Sequence, residues 1–221
     1  MKKFLLTAVL GMFALAGFSQ VKWDAKVGMS MTNITQVDMD MKIGYTLGVG
    51  IDYTLSDMWS LQSGLNFTAK GAKDSYEEEG VKVGYKECSH YLEIPILAVA
   101  KFNLSDNMKF VVNAGPYFSF GLGGKAKYNV DYDGKDLNLE DLGLGDYKLF
   151  SKEEGEEEAL MKRFDMGIQY GVGLEIKEHY LINLTGQNAF TQVYNGNWVD
   201  ENNKKVHPKN MAFMISVGYR F

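Results

Sequence analysis

Cysteine, proline, histidine and basic charge are all scarce in this 221-residue chain: one Cys, three Pro, three His, and 23 Lys+Arg against 28 Asp+Glu. One cysteine cannot close an internal disulfide or build a cysteine-rich zinc site. Three histidines at 90, 179 and 207 show no metal-ligand spacing. A net charge of −5 argues against nucleic acid as a partner, which needs a basic face for phosphates. So few prolines beside 24 glycines exclude Pro-rich and collagen-like classes. Also missing, after the first twenty residues, is any run near the ~20 apolar residues a spanning helix needs. At 46% hydrophobic and 13% aromatic, the chain is nonetheless not disordered.

The N-terminus reads as an export leader. Met1-Lys2-Lys3 is a basic n-region, Phe4 to Ala16 is an apolar run too short to span a bilayer, and Gly17 and Ser19 supply small residues before a cleavage point. The expected division is a signal peptide over residues 1–19 and one barrel domain over 20–221. Removing Lys2 and Lys3 leaves 21 basic against 28 acidic residues, a mature charge of −7. Only Gln20 and Val21 then precede the first strand, so no separate periplasmic domain or N-terminal plug is expected.

The rest of the chain alternates with period two, the pattern of a strand with one apolar face. Eight segments carry it: 22–32, 42–55, 58–70, 91–104, 109–122, 164–177, 179–190 and 211–221. In the second, Ile43, Tyr45, Leu47, Val49, Ile51, Tyr53 and Leu55 alternate with Gly44, Thr46, Gly48, Gly50, Asp52 and Thr54. None of the eight apolar faces carries an Asp, Glu, Lys or Arg. The connections, at about 33–41, 56–57, 71–90, 105–108, 123–163, 178 and 191–210, alternate long and short. An even strand number with short turns at one end and long loops at the other is the plan of an outer-membrane barrel. The expected fold is all-β: an eight-stranded antiparallel up-and-down transmembrane β-barrel with short periplasmic turns and long extracellular loops.

A soluble lipocalin-like barrel would give the same period with its apolar face inward. Three features favour apolar-out. The polar face is rich in small residues, as suits a lumen only wide enough for side chains to fill. Aromatics on the apolar face gather near strand ends: Trp23, Tyr53, Trp59, Phe102 and Tyr180 toward the short turns, Tyr45, Phe67, Phe118 and Phe190 toward the long loops. Two such rings match the girdles at the bilayer interfaces. The chain also stops on Phe221 with Tyr219, Val217, Ile215 and Phe213 alternating behind it. That ending resembles the C-terminal signal read by the outer-membrane barrel-assembly machinery. The expected partners are therefore outer-membrane lipid, that machinery during biogenesis, and a protein or surface ligand at the long loops.

Three stretches, YLEIPILAVAKF (Tyr91–Phe102), NAGPYFSFGLGG (Asn113–Gly124) and DMGIQYGVGLE (Asp165–Glu175), resemble the PorT-like outer-membrane β-barrel family of Bacteroidetes. The resemblance implies an eight-stranded barrel in the outer membrane. The family's namesake takes part in protein secretion, but most members have no assigned role, so secretion is not carried over.

The inward face carries Asp24, Asp52, Glu93, Asp165 and Glu175 against Lys26, Lys101, Lys109 and Arg220, with Lys70 and Lys177 near strand ends. Charges in a narrow lumen must pair or bear a heavy desolvation cost, so a salt-bridge network is expected there; the sharper reading is an ion or proton path. Pro95 and Pro116 fall inside strands and predict ladder breaks or bulges. The loop tracts DYDGKD (Asp131–Asp136) and EEGEEE (Glu153–Glu158) suggest calcium, yet the first fails the EF-hand spacing, and a solvated acidic loop is the plainer reading. No catalytic set, cofactor site or metal site emerges. Ser89 and His90 are strand neighbours that point to opposite faces, and Cys88 is a free thiol in a loop. The expected role is a non-enzymatic anchor acting through its loops, with a small channel or secretion component, and then a barrel-embedded lipid hydrolase, as alternatives.

Overall fold

The computed structural model describes residues 20–78, 81–132, 135–137, 146–152, 158–200 and 203–221. Its strands are β1 (Val21–Thr35), β2 (Asp40–Thr54), β3 (Trp59–Lys70), β4 (Ala72–Glu78), β5 (Val81–Ser105), β6 (Met108–Tyr132), β7 (Lys135–Leu137), β8 (Tyr147–Lys148), β9 (Phe164–Ile176), β10 (Tyr180–Ala189), β11 (Trp198–Val199), β12 (Lys205–Val206) and β13 (Lys209–Arg220). Eight of them form a closed ring. β1 pairs with β2, β2 with β3, β3 with β5, β5 with β6, β6 with β9, β9 with β10, β10 with β13, and β13 returns to β1, every pair antiparallel. Closure leaves no sheet edge and satisfies the backbone without water, the condition for spanning hydrocarbon.

The phase of each strand is apolar-out. Val27, Leu47, Val49, Ile94, Val172, Leu184 and Val217 are exposed on the outer wall, while Asp52, Thr68, Glu93, Ser119 and Gln187 are buried inside. A small polar interior explains the glycines facing it. A Cβ on Gly48 would meet the Asn66 side chain at 2.2 Å.

The strands run further than the apolar pattern does. Within 71–90, expected as a loop, residues 72–78 form β4 and 81–90 the outer half of β5, paired from Lys73↔Lys86 to Glu78↔Val81. β6 continues beside them to Tyr132. This three-stranded extension stands beyond the lipid, where both faces are wet, so alternation of apolar and polar residues no longer marks it. The β1–β2 connection is also shorter than the expected 33–41. It comprises Gln36–Met39, no longer than the Leu55–Met58 turn at the opposite end. Asn33 replaces the missing ladder there by donating from Nδ2 to the Met39 carbonyl at 2.9 Å.

The prolines interrupt the ladder without adding a residue. Pairing skips Gly64–Leu65 opposite Ile94–Pro95, and Ile96–Leu97 opposite Gly115–Pro116, and resumes in the same register. The register shifts lie elsewhere, between Asn103 and Ser105 and between His90 and Tyr91, which pair with Gly123 and Gly121 and leave Leu122 extra. At the mouth, Gly71 adopts φ +146°, and a Cβ there would meet the Glu87 carbonyl oxygen at 2.2 Å. Only glycine fits that kink, where β3 passes into β4.

Candidate functional site

The inward charges form two clusters, one above the other. Toward the periplasmic end, Asp52 on β2 receives Lys101 Nζ at 2.7 Å and Arg220 Nη2 at 3.1 Å. Gln62 Nε2 donates to the same oxygen at 2.7 Å. Arg220 also pairs through Nη1 with Glu175, which lies 3.7 Å from Lys101. Five strands thus meet at one knot whose carboxylates and guanidinium are buried.

Toward the outer end the centre is Lys70, which sequence reading left near a strand end. It is fully buried, 2.7 Å from Glu93 and 3.8 Å from Asp165, with its ammonium 4.9 Å from the Tyr117 ring centroid and 5.3 Å from that of Tyr91. Asp165 accepts from Thr191 Oγ1 at 2.6 Å and Asn210 Nδ2 at 3.1 Å. Glu93 accepts from Thr68 at 3.0 Å and Gln187 at 3.3 Å. Both carboxylates of this cluster, Glu93 and Asp165, therefore have a cation and neutral donors, which offsets their desolvation.

Between the clusters lies a cavity of about 50 Å³ lined by Asp24, Lys26, Asn113, Gln169 and Asn183 among others. That volume suits a few water molecules. Beside it Leu97, Val99 and Val111 form a small apolar cluster on the inner face. Of the nine expected lumen charges, six join the clusters. Asp24 and Lys26 line the cavity, and Lys109, half-buried opposite Glu175 in register, joins no ion pair among the described residues.

Above the outer cluster the loops fold into the barrel mouth. Leu149, Phe150, Met161, Val193 and Tyr194 pack with Ile34, Ala72, Tyr91 and Ala126 of the strands as one buried apolar cluster. The cap is stitched by backbone bonds Leu149 N to Gly124 O, Met161 N to Leu149 O, and Lys162 N to Val193 O, at 2.8–3.0 Å. Arg163 ties it down, donating to the Gly121 and Phe150 carbonyls at 2.8 Å. The Phe150 ring rests on Gly121, where a Cβ would meet it at 2.5 Å. Beneath the cap the Glu87 carboxylate accepts from the Tyr85 and Tyr194 hydroxyls. The cap was not legible beforehand; its only trace was apolar residues inside an otherwise acidic loop.

The remaining expected residues sit as follows. Tyr45 and Phe67 lie 6.1 Å apart at the outer level, and His90 stacks on Phe67 at 5.5 Å. Phe118 and Phe190 are exposed on the same wall. Tyr53, Trp59, Phe102 and Tyr180 are exposed toward the turns, with Trp23 half-buried. Phe213, Ile215, Val217, Tyr219 and Phe221 all face outward. Tyr219 packs edge-on against Tyr180 and Phe221.

His90, in the outer aromatic ring, lies on the opposite side of β5 from Ser89, which is buried and donates to the Lys70 carbonyl at 3.2 Å. His179 stacks on Tyr219 at the periplasmic end, and His207 bonds Gln192. Lys42 Nζ lies 3.3 Å from Cys88 Sγ. No cluster of three potential metal ligands occurs among the described residues. The signal peptide, residues 133–134 of the first acidic tract and residues 153–157 of the second lie outside the described residues.

The model of the outer membrane protein beta-barrel domain family matches residues 14–195. The chain belongs to this family. Its place is the bacterial outer membrane and its surroundings are lipid. No curated protein matches it. Solved structures similar to this barrel include the attachment invasion locus protein Ail of Yersinia pestis, 14% identical over 91% of this chain and 99% of that one, with a TM-score of 0.39. OprG from Pseudomonas aeruginosa is 13% identical over 90% and 95%, at 0.41. A major outer membrane protein from Thermus thermophilus is 12% identical over 91% and 99%, at 0.42.

Proposed function

We propose that this outer-membrane barrel is a non-conducting, non-enzymatic anchor that holds its outer extension as a binding surface for a protein or surface ligand. The observation that carries this reading is the cap. Loop segments 147–150, 160–163 and 193–198 are packed into the mouth above two layers of paired charge, an arrangement that favours a plugged lumen over an ion path. The β4–β6 extension then stands rigidly outside the lipid, presenting exposed Tyr76, Val83 and Tyr128 among mixed charges. Aromatic anchors within a charged surround are the usual makings of an interaction patch.

The finer family reading, PorT-like, rests on the three sequence stretches. Export by a leader cleaved after Ser19 and recognition of Phe213–Phe221 by the assembly machinery complete the proposal. Two measurements test it. Purified protein in planar bilayers is expected to give no current steps, whereas ohmic conductance would favour the channel. Pull-down from outer membranes is expected to lose a partner when Tyr76, Val83 and Tyr128 are replaced by Ser. An unchanged partner set would remove the extension from the account.

A further inference from the structure

The lipid-facing wall carries one polar pair out of keeping with its surroundings. Asn188 on β10 points outward, level with Ile168 and Met211. Tyr170 lays its ring across Gly186, whose Cβ would meet that ring at 2.7 Å, and donates its hydroxyl to Asn188 Oδ1 at 3.0 Å. The two donors of Asn188 Nδ2 meet no acceptor among the described residues. An amide left that way against hydrocarbon is costly.

Beside this pair the wall is dented. Ala114 forms the floor of an apolar groove of about 610 Å³ that Val112, Tyr170, Val172, Gly186, Phe213 and Ile215 also line. That volume is of the size that holds a small-molecule chain. Depth identifies what would lie in it. Asn188 is two residues inward of Phe190, about 5 Å below the outer aromatic level at ~3.3 Å per residue and ~40° tilt. At that level the linkage of a lipid acyl chain to its headgroup sits.

We propose that the groove binds one acyl chain of an amide-linked (N-acyl) lipid of the outer leaflet, with Asn188 reading the linkage. Its Nδ2 donates to the lipid amide carbonyl, and the second lone pair of Oδ1 accepts the lipid N–H. An ester offers only the carbonyl, so it fills half of the arrangement. Tyr170 fixes which way the Asn188 amide faces.

The test is native mass spectrometry of protein released from nanodiscs of phosphatidylethanolamine, all ester-linked, doped with lipid A, which carries amide-linked chains. The wild type is expected to retain lipid A in preference to phosphatidylethanolamine. Asn188→Leu, which removes the polar pair, and Ala114→Phe, which fills the floor from β6, should each lower that retention at least about fivefold, the order of one or two hydrogen bonds. Heat-modifiable gel mobility shows that each variant has folded, and either variant suffices alone. Equal retention of lipid A by wild type and both variants would overturn the proposal. So would equal retention of the two lipids by the wild type, or a dimer whose interface is the groove.

Discussion

Arg220 is one residue from the chain end yet is among the most buried side chains, and it holds both Asp52 and Glu175. Replacing it by Met leaves two carboxylates in the lumen facing Lys101 alone. The expected loss is about 3–5 kcal/mol, the range for breaking a buried pair from one side. Urea unfolding in detergent, followed by Trp fluorescence, measures it. Adding Asp52→Asn and Glu175→Gln should restore much of that loss, since the stranded charges go too. Gly71 makes a second residue-scale case. Gly71→Ala forces a Cβ into the Glu87 carbonyl at φ +146°. The expected cost is about 1–3 kcal/mol, read as faster amide exchange in β4 with the inner strands unchanged.

Among the elements, the β9–β10 turn departs from the usual chemistry. Lys177 and Glu178 sit at φ 52° and 61°, and the His179 N–H reaches the Ile176 carbonyl at 3.2 Å. Two residues with positive φ make a type I′ hairpin, which favours Asn-Gly. Replacing the pair by Asn-Gly should stabilise the barrel by roughly 1 kcal/mol, since left-handed non-glycine residues cost about 1–2 kcal/mol each. That gain is net of the exposed Lys22–Glu178 ion pair at 3.0 Å, worth about 0–1 kcal/mol. The hydrogen bond and charge of Lys22 hold the Glu178 carboxyl below its ordinary 4.5. Its small contribution is therefore present above that pH and fades as pH falls through the lowered value. In the Asn-Gly variant this acid-side dependence should vanish from pH-titrated melting curves.

Legibility also divides by element. The eight crossing segments could be read because lipid on one side and a packed lumen on the other impose opposite chemistry on successive residues. β4 and the outer halves of β5 and β6 could not, because water bathes both faces. Lys70 was read near a strand end, and β3 does stop there; what the pattern did not display is that the wall continues past it in β4 and leaves it fully buried. Leu97, Val99 and Val111 passed unnoticed because apolar side chains on the inner face break no charge rule. The inward charges share one face of the sequence pattern, but their division into two clusters depends on stagger between strands, which a single sequence does not display.

At the scale of the whole molecule the barrel is a cylinder filled from within and capped from outside. Loosening the cap should leave the cylinder standing. Tyr194→Phe removes one of two hydroxyls from Glu87, and Phe150→Ala empties the space over Gly121. Phe150→Ala is expected to cost about 3–5 kcal/mol locally, seen as rapid hydrogen exchange in residues 147–150 and 160–162 while β1, β2 and β13 stay protected.

The claim beneath all of this is that apolar side chains face lipid and the inner face is shut off from it. Ile96 and Leu97 are consecutive aliphatic residues in one strand, 42% and 4% exposed. Spin labels placed at each in turn, in a Cys88→Ser background in bilayers, separate the two sides by collision with oxygen dissolved in lipid. The label at Ile96 is expected to be strongly relaxed by oxygen and the one at Leu97 scarcely at all. The reverse order, or equal access at both, would contradict the account.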